Sequence, residues 1–123
     1  MDLMQAITAH IRMKRTLSSY VVQPDRSLNA FQVGAADQCT LGKWIIGDGS
    51  QYCSVPEYKA LLASHARFHR AAAEIVRRAD SGEVVEQEIA LDSTGEYAGA
   101  SAAVLKALML LFGKISSAQE RGV

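Results

Sequence analysis

The chain has 123 residues, enough for one hydrophobic core and too few for two, so we expect a single domain spanning residues 1–123. Its 13 basic and 13 acidic residues cancel, and no basic block could follow a phosphate backbone, which argues against a nucleic-acid partner. The N-terminus lacks a cationic segment before an apolar run, and the longest apolar stretch, residues 102–112, is interrupted by Lys106 and is too short to span a bilayer. These features predict a soluble cytoplasmic protein with no membrane partner.

Helical periodicity runs through most of the chain and predicts an all-α bundle. Only Phe31-Gln32-Val33 shows the short alternating pattern that is typical of a strand. The first helix is expected to start at Asp2, a good N-cap, and to end before Gln23-Pro24-Asp25. Its apolar stripe contains a histidine, His10, which should therefore point inward.

A second, short helix is predicted from Cys39 to Ile46, with Asp37 as its cap and Gly47-Asp48-Gly49 as its end. Cys39 would then lie in its first turn. The nearby Trp44 is expected to anchor the core, because helical spacing already explains its position.

The third helix is predicted from Ser54-Val55-Pro56-Glu57, which has capping-box spacing with proline in the first turn, to about Ala79, before Asp80-Ser81-Gly82. Phe68 is expected to be a core anchor on this helix. The core-facing stripe is expected to contain Tyr58, Leu62, His65, His69, Ala72, Val76 and Ala79.

A fourth, long helical region is predicted from Glu83 to Ala118, with Gly95 and Gly99 as weak points. Its run of small residues, 98–103, would let another helix approach closely.

The two histidines on the third helix, His65 and His69, are four residues apart and share a face. Two buried imidazoles each need a partner, and one divalent ion would satisfy a lone pair on both. His10 and Cys39 complete a tetrahedral set of soft and borderline ligands, and zinc fits that set best. The sequence therefore predicts one zinc held by His10, Cys39, His65 and His69.

A family resemblance supports this interpretation. His10, the segment Cys39-Thr40-Leu41-Gly42-Lys43-Trp44 and the segment His65-Ala66-Arg67-Phe68-His69, with their spacings, resemble the chemoreceptor zinc-binding (CZB) domain family of bacteria. The resemblance extends over nearly the whole chain, including Gly95-Glu96-Tyr97. Met13 departs from it, because an aromatic residue is common there.

The resemblance implies a four-helix bundle, with an additional short helix carrying the cysteine ligand, that binds one zinc through three histidines and one cysteine. It implies a sensory module, often dimeric, that responds to zinc or to oxidants such as hypochlorous acid. Members are usually fused to chemoreceptors or diguanylate cyclases. We therefore expect a homodimer that signals to such a protein in cis or in trans.

Cys39 is the predicted redox switch, because zinc held by neutral imidazoles would keep it as a nucleophilic thiolate. Loss of zinc or oxidation of Cys39 would release the short helix from the bundle. The other thiol, Cys53, could resolve an oxidised Cys39, although an incidental loop cysteine is the simpler interpretation.

Other functions fit the sequence less well than a sensor. A zinc hydrolase needs an open coordination position and a nearby glutamate, whereas alanine and arginine stand after His65. A di-iron bundle needs glutamate three residues before a histidine, which neither His65 nor His69 has. The sequence therefore predicts no enzyme, and a purely structural zinc in an interaction module stays open as the alternative.

Overall fold

The computed structural model describes the backbone of residues 1–89 and 95–121 and the side chains of residues 1–89 and 95–116. Within these ranges all regular structure is helical, which confirms the predicted all-α class. Two short 3-10 segments accompany the α-helices, at Asp48–Tyr52 and Glu86–Ile89. The α-helices are α1 Leu3–Val22, α2 Ala30–Gly34, α3 Thr40–Ile46, α4 Pro56–Asp80 and α5 Glu96–Arg121.

Helix α1 begins where the sequence predicts. Asp2 accepts a hydrogen bond from the Gln5 backbone N–H, and the Gln5 side chain accepts one from the Asp2 N–H, each at 2.8 Å. This reciprocal pair satisfies two of the N–H groups that a helix start leaves free. The face of α1 that meets the core is formed by Ala6, His10, Leu17, Tyr20 and Val21.

Helix α2 contains Phe31-Gln32-Val33, so the one short alternating pattern in the sequence is helical. The Asn29 side chain accepts hydrogen bonds from the N–H groups of Phe31 and Gln32, at 2.8 and 3.2 Å, and so caps a single helical turn. Only Val33 of this turn is buried, against the core, while Phe31 is exposed. A local cap therefore overrides the short alternating pattern.

Helix α3 has a different N-cap from the one that was predicted. The cap is Cys39 and not Asp37, since the Cys39 sulfur accepts from the Gly42 N–H at 3.2 Å. Cys39 therefore precedes the first turn instead of lying in it. The helix ends at Gly47, as predicted, and the chain continues into the 3-10 segment.

Helix α4 has proline in its first turn as predicted, but the expected capping box is wrong. The N-cap is Val55, without a side-chain cap hydrogen bond, and Glu57 instead forms an ion pair with Lys114 of α5 at 2.9 Å. The Glu57 carboxylate therefore binds a lysine of another helix instead of capping its own helix. The predicted end is confirmed, with Ser81 as the C-cap and Gly82 at a φ of +94°, a conformation that favours glycine.

The predicted core stripe of α4 is confirmed except at Leu62, which is 44% exposed, whereas its neighbour Leu61 is fully buried. Packing against α5 on one side and α2 on the other selects which leucine faces inward. Phe68 is buried, and the Tyr58 hydroxyl donates to the Ile45 carbonyl at 2.7 Å. Trp44, only half-buried, stacks on Phe112 of α5 with ring centroids 5.2 Å apart.

The expected start of the fourth helical region at Glu83 is wrong. Residues 83–85 are not helical, the 3-10 segment follows, residues 90–94 lie outside the described residues, and α5 starts at Glu96. Arg78 of α4 forms ion pairs with Glu83 and Glu88, and the side chain of Val85 is buried in the core. These contacts hold the chain against α4 in a course that a continuous helix could not follow. Gly99 lies inside α5 without ending it.

Helix α5 is the one helix among the described residues for which crossing a membrane has to be considered. By length and composition alone, Glu96–Ser116 is long and apolar enough to do so. Core helices of soluble proteins pass the same test, and α5 buries one face against the other helices. The buried residues of that face are Tyr97, Ala100, Ser101, Val104, Ala107, Leu108, Leu111 and Phe112.

Gly42 gives the first testable prediction. A Cβ atom added there would lie 1.7 Å from the Ala36 carbonyl oxygen, so α3 could not keep its place beside the loop that precedes it. We expect Gly42→Ala to lower the free energy of unfolding by about 2 kcal/mol or more, measured by urea denaturation.

Gly113 supplies the matched control, because a Cβ there would meet nothing within 4 Å. Gly113→Ala, in the middle of α5, should raise stability by about 0.5–1 kcal/mol. Equal effects of the two substitutions would contradict the close approach at Gly42.

Candidate metal centre

Four of the five helices contribute to the site. Helix α4 carries His65 and His69 one turn apart, and the cap of α3 places Cys39 opposite them. Helix α1 presents His10 from a third direction, and α2 contributes a backbone carbonyl. A cavity of about 830 Å³, lined by all four predicted ligands, lies between α1, α3 and α4.

Three of the four predicted ligands lie together. One donor atom each from Cys39, His65 and His69 falls within 4.8 Å of the other two. The Cys39 sulfur is 3.3 Å from His65 Nε2, which is 3.1 Å from His69 Nε2. Both imidazoles are buried and Cys39 is half-buried. The three donor atoms therefore converge on one point inside the protein.

The orientation of His69 is fixed from outside this cluster. Its Nδ1–H donates to the Val33 carbonyl at 2.7 Å, which leaves a lone pair on Nε2 facing His65. Metal-binding histidines commonly donate their second ring N–H to a carbonyl in this way. Helix α2 therefore sets the tautomer of a ligand on α4. The sequence could not predict this contact, because a backbone carbonyl gives no signal in the sequence.

His10 is buried, but its ring nitrogen is engaged outside the cluster. His10 Nε2 lies 2.9 Å from Oγ of Ser101 on α5, and the ring packs on Phe68 with centroids 4.5 Å apart. His10 is not one of the three residues whose donor atoms converge. Its role as fourth ligand stays a prediction. In the sequence, Ser101 stands out only as part of a run of small residues.

The electrostatics of the site favour neutral imidazoles. Burial lowers the pKa of His10 to about 4, with Lys14 as a further cause, and burial also lowers the pKa of His65 to about 3, helped by His69. Burial lowers the pKa of His69 as well, although its bond to Val33 opposes this. Their lone pairs are therefore free of protons at neutral pH and available to a metal.

Cys39 behaves differently from a reactive surface thiol. Burial raises its pKa, while the Gly42 N–H favours the charged form and partly offsets this. The sulfur is therefore a protonated thiol until a cation is added, and metal binding should release its proton. Both cysteines are free, and Cys53 is exposed at the end of the 3-10 segment.

The donor set fits zinc. It consists of one sulfur and two imidazole nitrogens, and no carboxylate belongs to the cluster among the described residues. Thiolate and imidazole favour zinc over magnesium or calcium, which prefer oxygen. Cys39, His65 and His69 would hold the ion.

The lowered pKa values predict that the metal-free protein loses stability in mild acid. The unfolded chain takes up protons near pH 6.5, whereas folded His10 and His65 take them up only near pH 4 and pH 3. Their contribution is complete above about pH 7 and is lost as pH falls, by up to about 1.4 kcal/mol per pH unit for each histidine. Urea denaturation from pH 7 to pH 5, with a chelator present, measures this loss.

His10→Gln is the control for this experiment, since it removes one of only three histidines and should make the loss shallower. A free energy of unfolding that stays constant from pH 7 to pH 5 would contradict the burial of neutral imidazoles.

Comparison with known proteins agrees with this geometry. The profile of the chemoreceptor zinc-binding domain, CZB, matches residues 10–76, a range that contains all four predicted ligands. No curated protein and no solved structure matches the chain significantly. Because the match covers more than half of the sequence and the Cys39, His65 and His69 donors converge in the fold, the chain belongs to the chemoreceptor zinc-binding domain family and is a zinc-binding domain.

Proposed function

We propose that this domain is a cytoplasmic bacterial sensor that holds one zinc through His10, Cys39, His65 and His69. It reports zinc availability, or the oxidation state of Cys39, to a signalling partner. One observation carries this proposal: the Cys39 sulfur lies 3.3 Å from His65 Nε2 and also accepts the Gly42 N–H at the start of α3. The same atom therefore belongs to the metal cluster and to the cap of a helix.

This double role links the site to the fold. When bound, zinc supplies the positive charge that keeps Cys39 as a thiolate. The thiolate can attack hypochlorous acid, so that a sulfur–oxygen bond forms, chloride leaves and Cys39 becomes a sulfenic acid. The oxidised sulfur is a poorer ligand and a poorer acceptor for Gly42, which weakens the site and the cap of α3 together.

The fold supports the remaining parts of this proposal. We propose that α1, α4, α5 and the α2–α3 segment are the four sides of the family's four-helix bundle, with α3 as the short helix that presents Cys39. We assign the domain no catalytic role, since four protein ligands would close the coordination sphere. A purely structural zinc is the second candidate, and it differs from the sensor in having a sulfur that oxidants do not reach.

Hypochlorite treatment distinguishes the sensor from the structural zinc. We expect wild-type protein loaded with one equivalent of zinc to release the ion on oxidation, and Cys53→Ala to behave in the same way, because only Cys39 contacts the cluster. A zinc-sensitive dye measures release. Release that depends on Cys53, or no release from the wild type, would refute the redox part of the proposal.

Substitutions of Cys39 separate its two roles. Cys39→Ser keeps a good N-cap but removes the anionic ligand, so zinc should bind more weakly to a fold of nearly unchanged stability. Cys39→Ala should in addition cost the metal-free protein about 0.5–2 kcal/mol of unfolding free energy. Replacing His65 or His69 should weaken zinc binding more than Cys39→Ser, because α4 holds both rigidly. Equal stability of the two Cys39 variants would contradict the capping role.

We further propose a homodimer that signals to a chemoreceptor or a diguanylate cyclase in cis or in trans. The outer face of α5 supports an interface, since Met109 is 60% and Leu110 51% exposed, and Leu62 of α4 is also exposed. Light scattering should give twice the chain mass, and Leu110→Glu should give the monomer mass. Val84→Glu, at an exposed apolar position outside α5, should leave the dimer intact. A wild-type monomer would refute the dimer.

A further inference from the structure

The imidazole of His10 has a partner outside the metal cluster. Its Nε2 lies 2.9 Å from the Ser101 hydroxyl, and the two residues are 3% and 2% exposed. No donor atom of His10 belongs to the cluster of Cys39, His65 and His69, so a four-ligand site requires the His10 ring to move toward these residues. A neutral imidazole has one lone pair, and when Nε2 accepts from the Ser101 hydroxyl, that lone pair has two competing partners, Ser101 and a metal.

We propose that Ser101 competes with zinc for His10. The Ser101 hydroxyl would donate to the Nε2 lone pair of His10 on the side of α5, and this hydrogen bond would break when the same lone pair joins the other three ligands. Ser101 is thus a positioning residue that sets zinc affinity. The inference rests on the proposed function in one respect, since it takes His10 as the fourth ligand.

The surroundings allow this exchange. The cavity of about 830 Å³ is lined by His10 and by the three cluster residues, so the ring turns toward open space. The His10 ring packs on Phe68, which contacts His69 on another side, so its apolar contact can persist as it moves. The freed Ser101 hydroxyl can donate to the carbonyl four residues earlier in α5, that of Tyr97, so that no buried donor loses its partner.

The exchange would also change how α5 contacts α1 when zinc binds. Among the described residues, two polar contacts join α5 to the site region: the Ser101–His10 hydrogen bond, and an ion pair between Glu96 and Arg67, which lies between the histidines of α4. Zinc binding removes the first connection and leaves the second. The beginning of α5 thereby stays fixed to α4 while the contact of its second turn with α1 changes.

A competition titration against a chromophoric zinc chelator tests the proposal. We expect Ser101→Ala to bind zinc about threefold to tenfold more tightly than the wild type, the factor that one net hydrogen bond is worth. Ser64→Ala is the matched control, because this buried hydroxyl bonds the Leu61 carbonyl of its own helix, and its affinity should be unchanged.

A double-mutant cycle shows whether the effect passes through His10. His10→Ala should weaken zinc binding, and adding Ser101→Ala to it should change nothing further. Long-range proton–nitrogen NMR of the imidazoles gives a second readout, in which His10 Nε2 should move from a hydrogen-bonded to a metal-bound shift when zinc is added.

Several results would overturn the competition. These are unchanged or weaker zinc binding by Ser101→Ala, a Ser101 effect that persists in His10→Ala, or wild-type affinity in His10→Ala. Weaker binding by Ser101→Ala would show that the hydroxyl supports the bound state instead. Each leaves zinc binding by the wild type intact, whereas a wild type that binds no zinc would refute the proposed function itself.

Discussion

The burial of two adjacent imidazoles on α4 is the constraint on which the rest of the site depends. His65 and His69 lose their water when α4 packs, and desolvation keeps both neutral. Their nitrogens then need partners inside the protein. The Val33 carbonyl meets one nitrogen of His69, and the remaining donors face each other and Cys39 at 3.1 and 3.3 Å. A cation at this point would accept lone pairs from both imidazoles and from the sulfur at once, which gives a physical reason for a metal there.

The short helices α2 and α3 are held in place by their contacts with the buried histidines more than by their own stability. Helices of five and seven residues are too short to be stable alone. Helix α2 is held by its Asn29 cap and packs on α4, where it offers the Val33 carbonyl to His69. Helix α3 is capped by the Cys39 sulfur. Since this cap also belongs to the metal cluster, a change at the sulfur acts on the least stable helices first, and such elements are suited to a switch.

Helix α5 connects the site to the outer surface of the domain. Its inner face contacts His10 through Ser101 and α4 through the Glu96–Arg67 ion pair, while Met109 and Leu110 stand exposed on its outside. A change in the His10 contact therefore occurs on the same helix that offers an apolar surface to a partner. This arrangement gives the proposed sensor a route from metal occupancy to an interface without requiring any large rearrangement of α1 or α4.

The sequence alone determined the features that depend on neighbouring residues. The Asp2 cap, the proline at the start of α4 and the spacing of His65 and His69 act within a few residues, so pattern and propensity suffice to predict them. The features that depend on contacts between residues far apart in the sequence were decided only by the tertiary structure. Because of packing between helices, Glu57 pairs with Lys114 instead of forming a local cap, and Leu62 is exposed. Packing also prevents a helix from starting at Glu83, and it gives His10 a partner 91 residues away in the sequence. Such contacts depend on which helices become neighbours, and no local pattern in the chain records that.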